Sequence, residues 1–106
     1  MARFGFAELC ENPLGAGDYL AIAGRYHAVI LAGVPLLSEN NRNEARRFMT
    51  LIDALYEHRV KLVLSAEAPP EKLYPAGDGA FEFQRTVSRL QEMRSRDYME
   101  LDHAGA

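Results

Sequence analysis

YHAVILAGVPLLSENNRNEARRFMTLIDALYEHRVKLVLSAEAPP, residues Tyr26–Pro70, reads as a strand, a helix and a second strand. The apolar runs Ala28–Val34 and Val60–Leu64 are short and aliphatic, with only Lys61 interrupting the second, and such runs suit buried strands. Between them Ala45, Phe48, Ile52, Leu55 and Tyr56 fall at i, i+3, i+7, i+10 and i+11, one apolar stripe of a helix. Arg42, Arg46, Arg47, Asp53 and Glu57 take the rest of its circumference. The expectation is an α/β fold built on a βαβ unit, with parallel strands at about 28–34 and 60–65. Strands apolar on both faces need layers above and below them, which two strands cannot supply. The chain is therefore expected to be part of something larger, with unpaired strand edges and a tendency to associate.

Working outward, helices are expected at about 18–25, 41–58 and 84–96. Asp18 is placed as the N-cap of the first, with Leu20, Ala21 and Ala23 facing inward, and Asn41 with Glu44 resembles a capping box for the second. His58 or Arg59 suits the negative end of that helix. Phe4 and Phe6 alternate with small Gly5 and Ala7, and Phe81 and Phe83 alternate with Ala80 and Glu82, so each pair suggests a short strand. Pro69 and Pro70 delay any helix after the second strand, leaving a single turn over Glu71–Tyr74. The glycine-rich YPAGDGA, residues 74–80, reads as an exposed loop, and the tail from Leu101 as frayed.

The 106 residues allow one domain, and 48% apolar with 25% charged composition is ordinary for a globular chain. A net charge of −3 argues against nucleic-acid binding through bulk charge. One cysteine, Cys10, rules out an intrachain disulfide and a cysteine zinc cage and is expected to be buried. His27, His58 and His103 lack metal-ligand spacing. The run Ala28–Leu37 is half the length of the ~20 residues that a membrane-spanning helix requires, and no secretory signal is visible at Met1–Cys10. GxxxxGK[ST] is absent, so this polypeptide alone is not expected to bind a nucleotide tightly.

Ser65 and Glu67 stand where α/β sheets gather ligands, beyond the carboxyl ends of the strands. Ser65 lacks a sharp glycine-flanked turn and an activating histidine, so an independent enzyme built on it is the weakest reading. Arg85, Arg89 and Arg96 recur at i, i+4 and i+11 with Glu92 at i+7, striping the last helix away from Val87 and Leu90. Guanidinium groups favour carboxylate and phosphate oxygens; the competing reading is a solvated face in which Glu92 pairs with Arg96. Arg46 poses the same choice, since it shares a face with Asp53.

FAELCENPLGAGDYLAIAGRYHAVILAGVP (6–35), NEARRFMTLIDALYEHRVKLVLSAEAPPEKLY (43–74) and FEFQRTVSRLQEMRSRDY (81–98) closely resemble the C-terminal region of the ZapE/AFG-type ATPases, a family of AAA+ P-loop proteins. The pieces ELC with PLGAGDYL, ARRF with LID and LY, VKLVLSAE, and RTVSRLQEM stand in the family's order across essentially the whole chain. The resemblance implies that residues 1–106 are the C-terminal segment of an ATP-driven machine whose phosphate loop and acidic magnesium-binding strand lie upstream. It implies ATP and Mg2+ for the full-length family and neither for this chain alone. It also implies that Arg46 or Arg47 acts as an arginine finger across a subunit boundary and that Arg85 or Arg89 senses nucleotide within the subunit. The implied partners are the upstream ATPase portion, further copies of the chain, and the tubulin-like FtsZ or another client. The implied location is the bacterial cytoplasm near the division site, or the mitochondrion in a eukaryote. From a different class, the chain would be a non-catalytic interaction module whose arginines serve packing and solubility.

Overall fold

The structure, a computed structural model, describes residues 2–74 and 79–94. Three parallel strands lie side by side in the order β1 (Ala2–Gly5), β2 (Ala28–Val34), β3 (Lys61–Ala66). Helix α1 (Ala16–Arg25) connects the first pair and α2 (Arg42–Glu57) the second. A third helix, α3 (Ala80–Met93), packs on α2. The βαβ unit stands within a residue or two of the bounds read from the sequence, and Phe4 lies in the strand expected at the N-terminus. Phe6 leaves that strand for a single π-helical turn, Ala7–Glu11, and packs against Phe48 with ring centroids 6.1 Å apart.

Register divides the sheet into two faces. Phe4, Leu31 and Leu64 pair across one face, together with Val29 and Leu62, and Val29 and Leu31 there are fully buried. Ala45, Phe48, Leu51, Ile52 and Leu55 of α2 join the same core. Leu51 broadens the stripe beyond its reading because α2 is enclosed by the sheet, α1 and α3 at once. The opposite face carries Arg3, Ile30 and Val63 in register, and Val63 is 59% exposed. Burial on both faces, as the apolar strands had suggested, is therefore met on one face only among the described residues.

Several local expectations are corrected. Asp18 is not the N-cap of α1 but its third helical residue, and its carboxylate accepts from the Gly15 N–H at 2.9 Å. Ala23 is buried as expected, but its partner on the inner face is Tyr19 at i−4, while Leu20 is 46% exposed and Ala21 lies outside as well. Asn41 makes no side-chain cap to α2; its Oδ1 instead accepts from the Ser38 N–H at 2.6 Å, while Ser38 Oγ accepts from Asn40. These bonds form a 3-10 turn, Glu39–Asn41, ahead of the helix. The strand suggested at 80–83 is the first turn of α3, whose start at Ala80 rather than 84 follows Gly79 at φ +88. Phe83 is then buried against Phe48 and Tyr74, at centroid distances of 6.0 and 5.6 Å. Residues 75–78 of the predicted loop, Arg96 and the tail lie outside the described residues.

β2 carries one irregularity. Between Leu31 and Val34 the register against β3 shifts, with Gly33 at φ +77 in the extra position. A side chain is strained at such φ, which makes glycine the natural bulge residue. The displaced Gly33 N–H donates to Ser65 Oγ at 2.9 Å.

Candidate functional site

The four arginines singled out by their spacing and family resemblance separate into those bonded to a described residue and those that are not. Arg47 is half-buried. Its Nη1 donates to the Cys10 carbonyl at 3.0 Å and stands 3.9 Å from Glu44 Oε1. That bond ties α2 to the π-helical turn after β1, where the amide ladder leaves carbonyls needing donors. Cys10 is fully buried, as expected, and loss of solvation pushes its thiol up to about 12, against a smaller opposing pull from Arg47. Nearby, the Tyr19 hydroxyl donates to the Leu9 carbonyl at 2.6 Å, and burial pushes its pKa up to about 12.

Arg46, one position earlier, turns the other way. It is exposed, and its guanidinium has no hydrogen bond or ion pair with a described residue. Asp53, expected to hold it, is taken by Arg89. Arg46 and Arg47 share the wall of a hollow of about 260 Å3 with Leu14, Gly15, Asn43 and Thr50. Arg46 also borders a second hollow of about 250 Å3 beside Met49, Gly79 and Glu82. It thus stands between the start of α1 and the start of α3.

On α3 the division repeats. Arg89 Nη1 lies 2.6 Å from Asp53 Oδ1, with Nη2 4.0 Å from Glu57, and its guanidinium sits 4.7 Å from the centroid of the Tyr56 ring. The Tyr56 hydroxyl in turn donates to Glu92, and that bond raises its pKa above the ordinary phenol value. Glu92 therefore bonds across to α2, a pairing absent from the sequence reading. Arg85 is exposed and, like Arg46, has no described partner. The structure thus brings Arg46 and Arg47 to one hollow and holds Arg89 at the α2–α3 seam. No periodicity within one helix signals the Arg89–Asp53 link, because the two are 36 residues apart on different helices.

Ser65 and Glu67 serve the backbone. Ser65 accepts the bulge amide, and Glu67 Oε2 lies 3.4 Å from the Leu36 N–H, so Glu67 is exposed but not idle. A hydroxyl holding a bulge, without an adjacent base, fits a structural role better than a nucleophile's.

The described hollows do not fit a nucleoside triphosphate with its metal. That beside Arg46 and Arg47 falls below the roughly 300–1,000 Å3 of small-molecule sites. The larger one, about 590 Å3 beside β3, is walled by Leu62, Leu64, Leu90 and Met93 with one arginine, Arg94. Among the described residues no group of three or more His, Cys, Asp or Glu is placed to hold a metal ion. Nor is any helix there long and apolar enough to cross a membrane.

Residues 1–102 match the family of AFG1-like ATPases. The chain is 44% identical over 98 residues to the cell division protein ZapE of Escherichia coli K12, covering 92% of this chain and 26% of that protein. It is 38% identical over 130 aligned residues to lactation elevated protein 1 homolog B of Danio rerio, again covering 92% of this chain and 26% of the relative. The chain thus spans about a quarter of the length of these relatives. No solved structure matches. With the match running through β1, all three helices and the arginines they carry, the chain belongs to the AFG1-like ATPase family.

Proposed function

We propose that this chain is the C-terminal portion of a AAA+ P-loop ATPase of the ZapE/AFG type, acting with an upstream portion that carries the phosphate loop and the acidic magnesium-binding strand. ATP and Mg2+ bind chiefly to that portion. Arg46 supplies the arginine finger to a neighbouring copy in a homo-oligomer, and Arg85 is the better-placed nucleotide sensor. The observation that carries the reading is the contrast within ARRF: Arg47 is bonded to the Cys10 carbonyl, whereas Arg46 projects from the same turn without a described partner. A finger must leave its own subunit, so only an uncommitted guanidinium suits the role. There it stabilises charge developing on the transferred phosphoryl group, an interaction stronger in the transition state than in the ground state. Arg89, already bonded to Asp53, fits positioning of α3 better than direct sensing.

The setting in bacteria is the cytoplasm at the division site, with FtsZ or another client as partner; in a eukaryote it is the mitochondrion. The division-site setting is supported by the similarity to a cell division protein, and the client and the mitochondrial setting rest on the family resemblance alone. The test is magnesium-dependent ATP hydrolysis by the 106-residue chain and by the same chain joined to a phosphate-loop portion. The account expects turnover only from the joined protein. Turnover by the short chain would overturn it.

A second reading, a non-catalytic interaction module, is favoured by the open sheet face bearing Ile30 and Val63. Parallel sheets are ordinarily covered on both faces. Under this reading that open face captures client, and Val63→Ser weakens capture in a pull-down while leaving hydrolysis intact.

A further inference from the structure

β3 bonds to β2 along one edge, and among the described residues no strand pairs with the other. The Lys61 N–H donates to the His27 carbonyl at 2.9 Å and the Glu67 N–H to the Val34 carbonyl at 3.0 Å, so these odd-numbered amides point toward β2. Successive backbone groups of a strand point to opposite edges, which leaves those of Leu62 and Leu64 directed outward. Beside this edge runs the hollow of about 590 Å3 between Leu62, Leu64 and the Leu90–Met93 end of α3. Outward amides and carbonyls along an apolar groove are satisfied by an extended backbone.

The charges of the strand indicate whose backbone. Arg59 and Lys61 stand at its start and Glu67 follows its end. A parallel neighbour of the same sequence would set like charge on like. An antiparallel one sets each basic end against an acidic end.

We propose that a second copy of this chain pairs with β3, antiparallel about a twofold axis through Val63, and continues the sheet across two protomers. In that register Leu62 and Leu64 exchange amide and carbonyl bonds with the partner's Leu64 and Leu62, the residues already directed outward. Val63 faces the partner's Val63 as a non-hydrogen-bonded pair, and Arg59 lies opposite the partner's Glu67. The four leucines close over the two grooves, and Val63, 59% exposed in the single chain, gains a neighbour on the open face. The pairing goes beyond the finger assignment and does not depend on it, because Arg46 is on α2 and takes no part.

The test is light scattering of the purified 106-residue chain from low micromolar to submillimolar concentration, with oxidative cross-linking of Val63→Cys. A reversible dimer is expected. Non-hydrogen-bonded antiparallel pairs hold Cα atoms about 4.5 Å apart, within the range a disulfide bridges, so Val63→Cys cross-links readily. Val63→Lys, at an exposed site where the fold tolerates it, raises the dissociation constant about tenfold or more by placing like charges opposite each other. Arg59→Glu and Glu67→Arg each weaken the dimer, and the double variant recovers it. A chain that stays monomeric, or a dimer indifferent to Val63→Lys that fails to cross-link through Val63→Cys, overturns the proposal. Pairing of β3 with a strand from another portion of a longer protein would give the first of these results.

Discussion

Arg89 of α3 and Asp53 of α2 meet at 2.6 Å beside the face of the Tyr56 ring, joining the helix that crosses between β2 and β3 to the helix packed over it. The arginine side chain is only 16% exposed, whereas Asp53 keeps 39% of its surface. The pair is therefore intermediate between a screened surface bridge and a buried one. Arg89→Ala is expected to destabilise the fold by about 1–2 kcal/mol, part of it from lost stacking on Tyr56. A double-mutant cycle with Asp53→Asn, read by urea melting, should return a coupling of at least about 0.5 kcal/mol. Additive effects would place the stabilisation elsewhere.

Two buried acids predict an alkaline limit. Cys10 and Tyr19 both titrate in the folded chain near 12, raised from 9.0 and 10.0 by burial. A folded pKa above the unfolded one means that stability is fully present below the unfolded value and is lost as pH rises through the folded one. Unfolding free energy should thus decline from about pH 9 toward pH 12. Cys10→Ala should delay the start of the decline toward pH 10, and Tyr19→Phe should flatten the remainder. Tyr19→Phe at neutral pH should itself cost about 1–3 kcal/mol, because it leaves the Leu9 carbonyl buried without its donor. Urea midpoints across that pH range check both effects.

Two glycines should respond oppositely to the same change. At Gly33 an added Cβ meets nothing within 4 Å, yet φ is +77, so Gly33→Ala should cost about 1–2 kcal/mol through backbone strain alone. Gly17, inside α1, likewise has open space around a new Cβ but an ordinary φ. Gly17→Ala should raise stability by about 0.5–1 kcal/mol. Thermal melting of the two variants side by side gives the signs.

The helix α2 and its two flanking strands were legible because period and length agreed: Ala45, Phe48, Ile52 and Leu55 could face only one way, and the aliphatic runs on either side were too short for helices. Tyr19 was missed because Asp18, a good cap by type, acts from the third helical position, so the helix starts before Tyr19. Tyr19 shares an inner face with Ala23 four residues on, whereas Ala21 and Ala23, about 200° apart, could not both face inward. Phe81 and Phe83 misled for a related reason. Two alternating aromatics fit either period, and only the packing of Phe83 on Phe48 decides for helix. The candidate arginines on α2 and α3 were visible in the sequence, but which of them has a described partner depends on Asp53 and on the Cys10 carbonyl, contacts between residues 36 and 37 apart.

The division of labour between neighbouring arginines is the central claim, and ATP turnover measured at saturating ATP tests it most directly. In a protein joining this segment to its phosphate-loop portion, Arg46→Ala should lower kcat by about a thousandfold with ATP affinity little changed, as loss of a finger does. Arg47→Ala should instead lower the melting temperature while the folded fraction keeps most of its turnover. An Arg46→Ala protein with undiminished kcat would contradict the account.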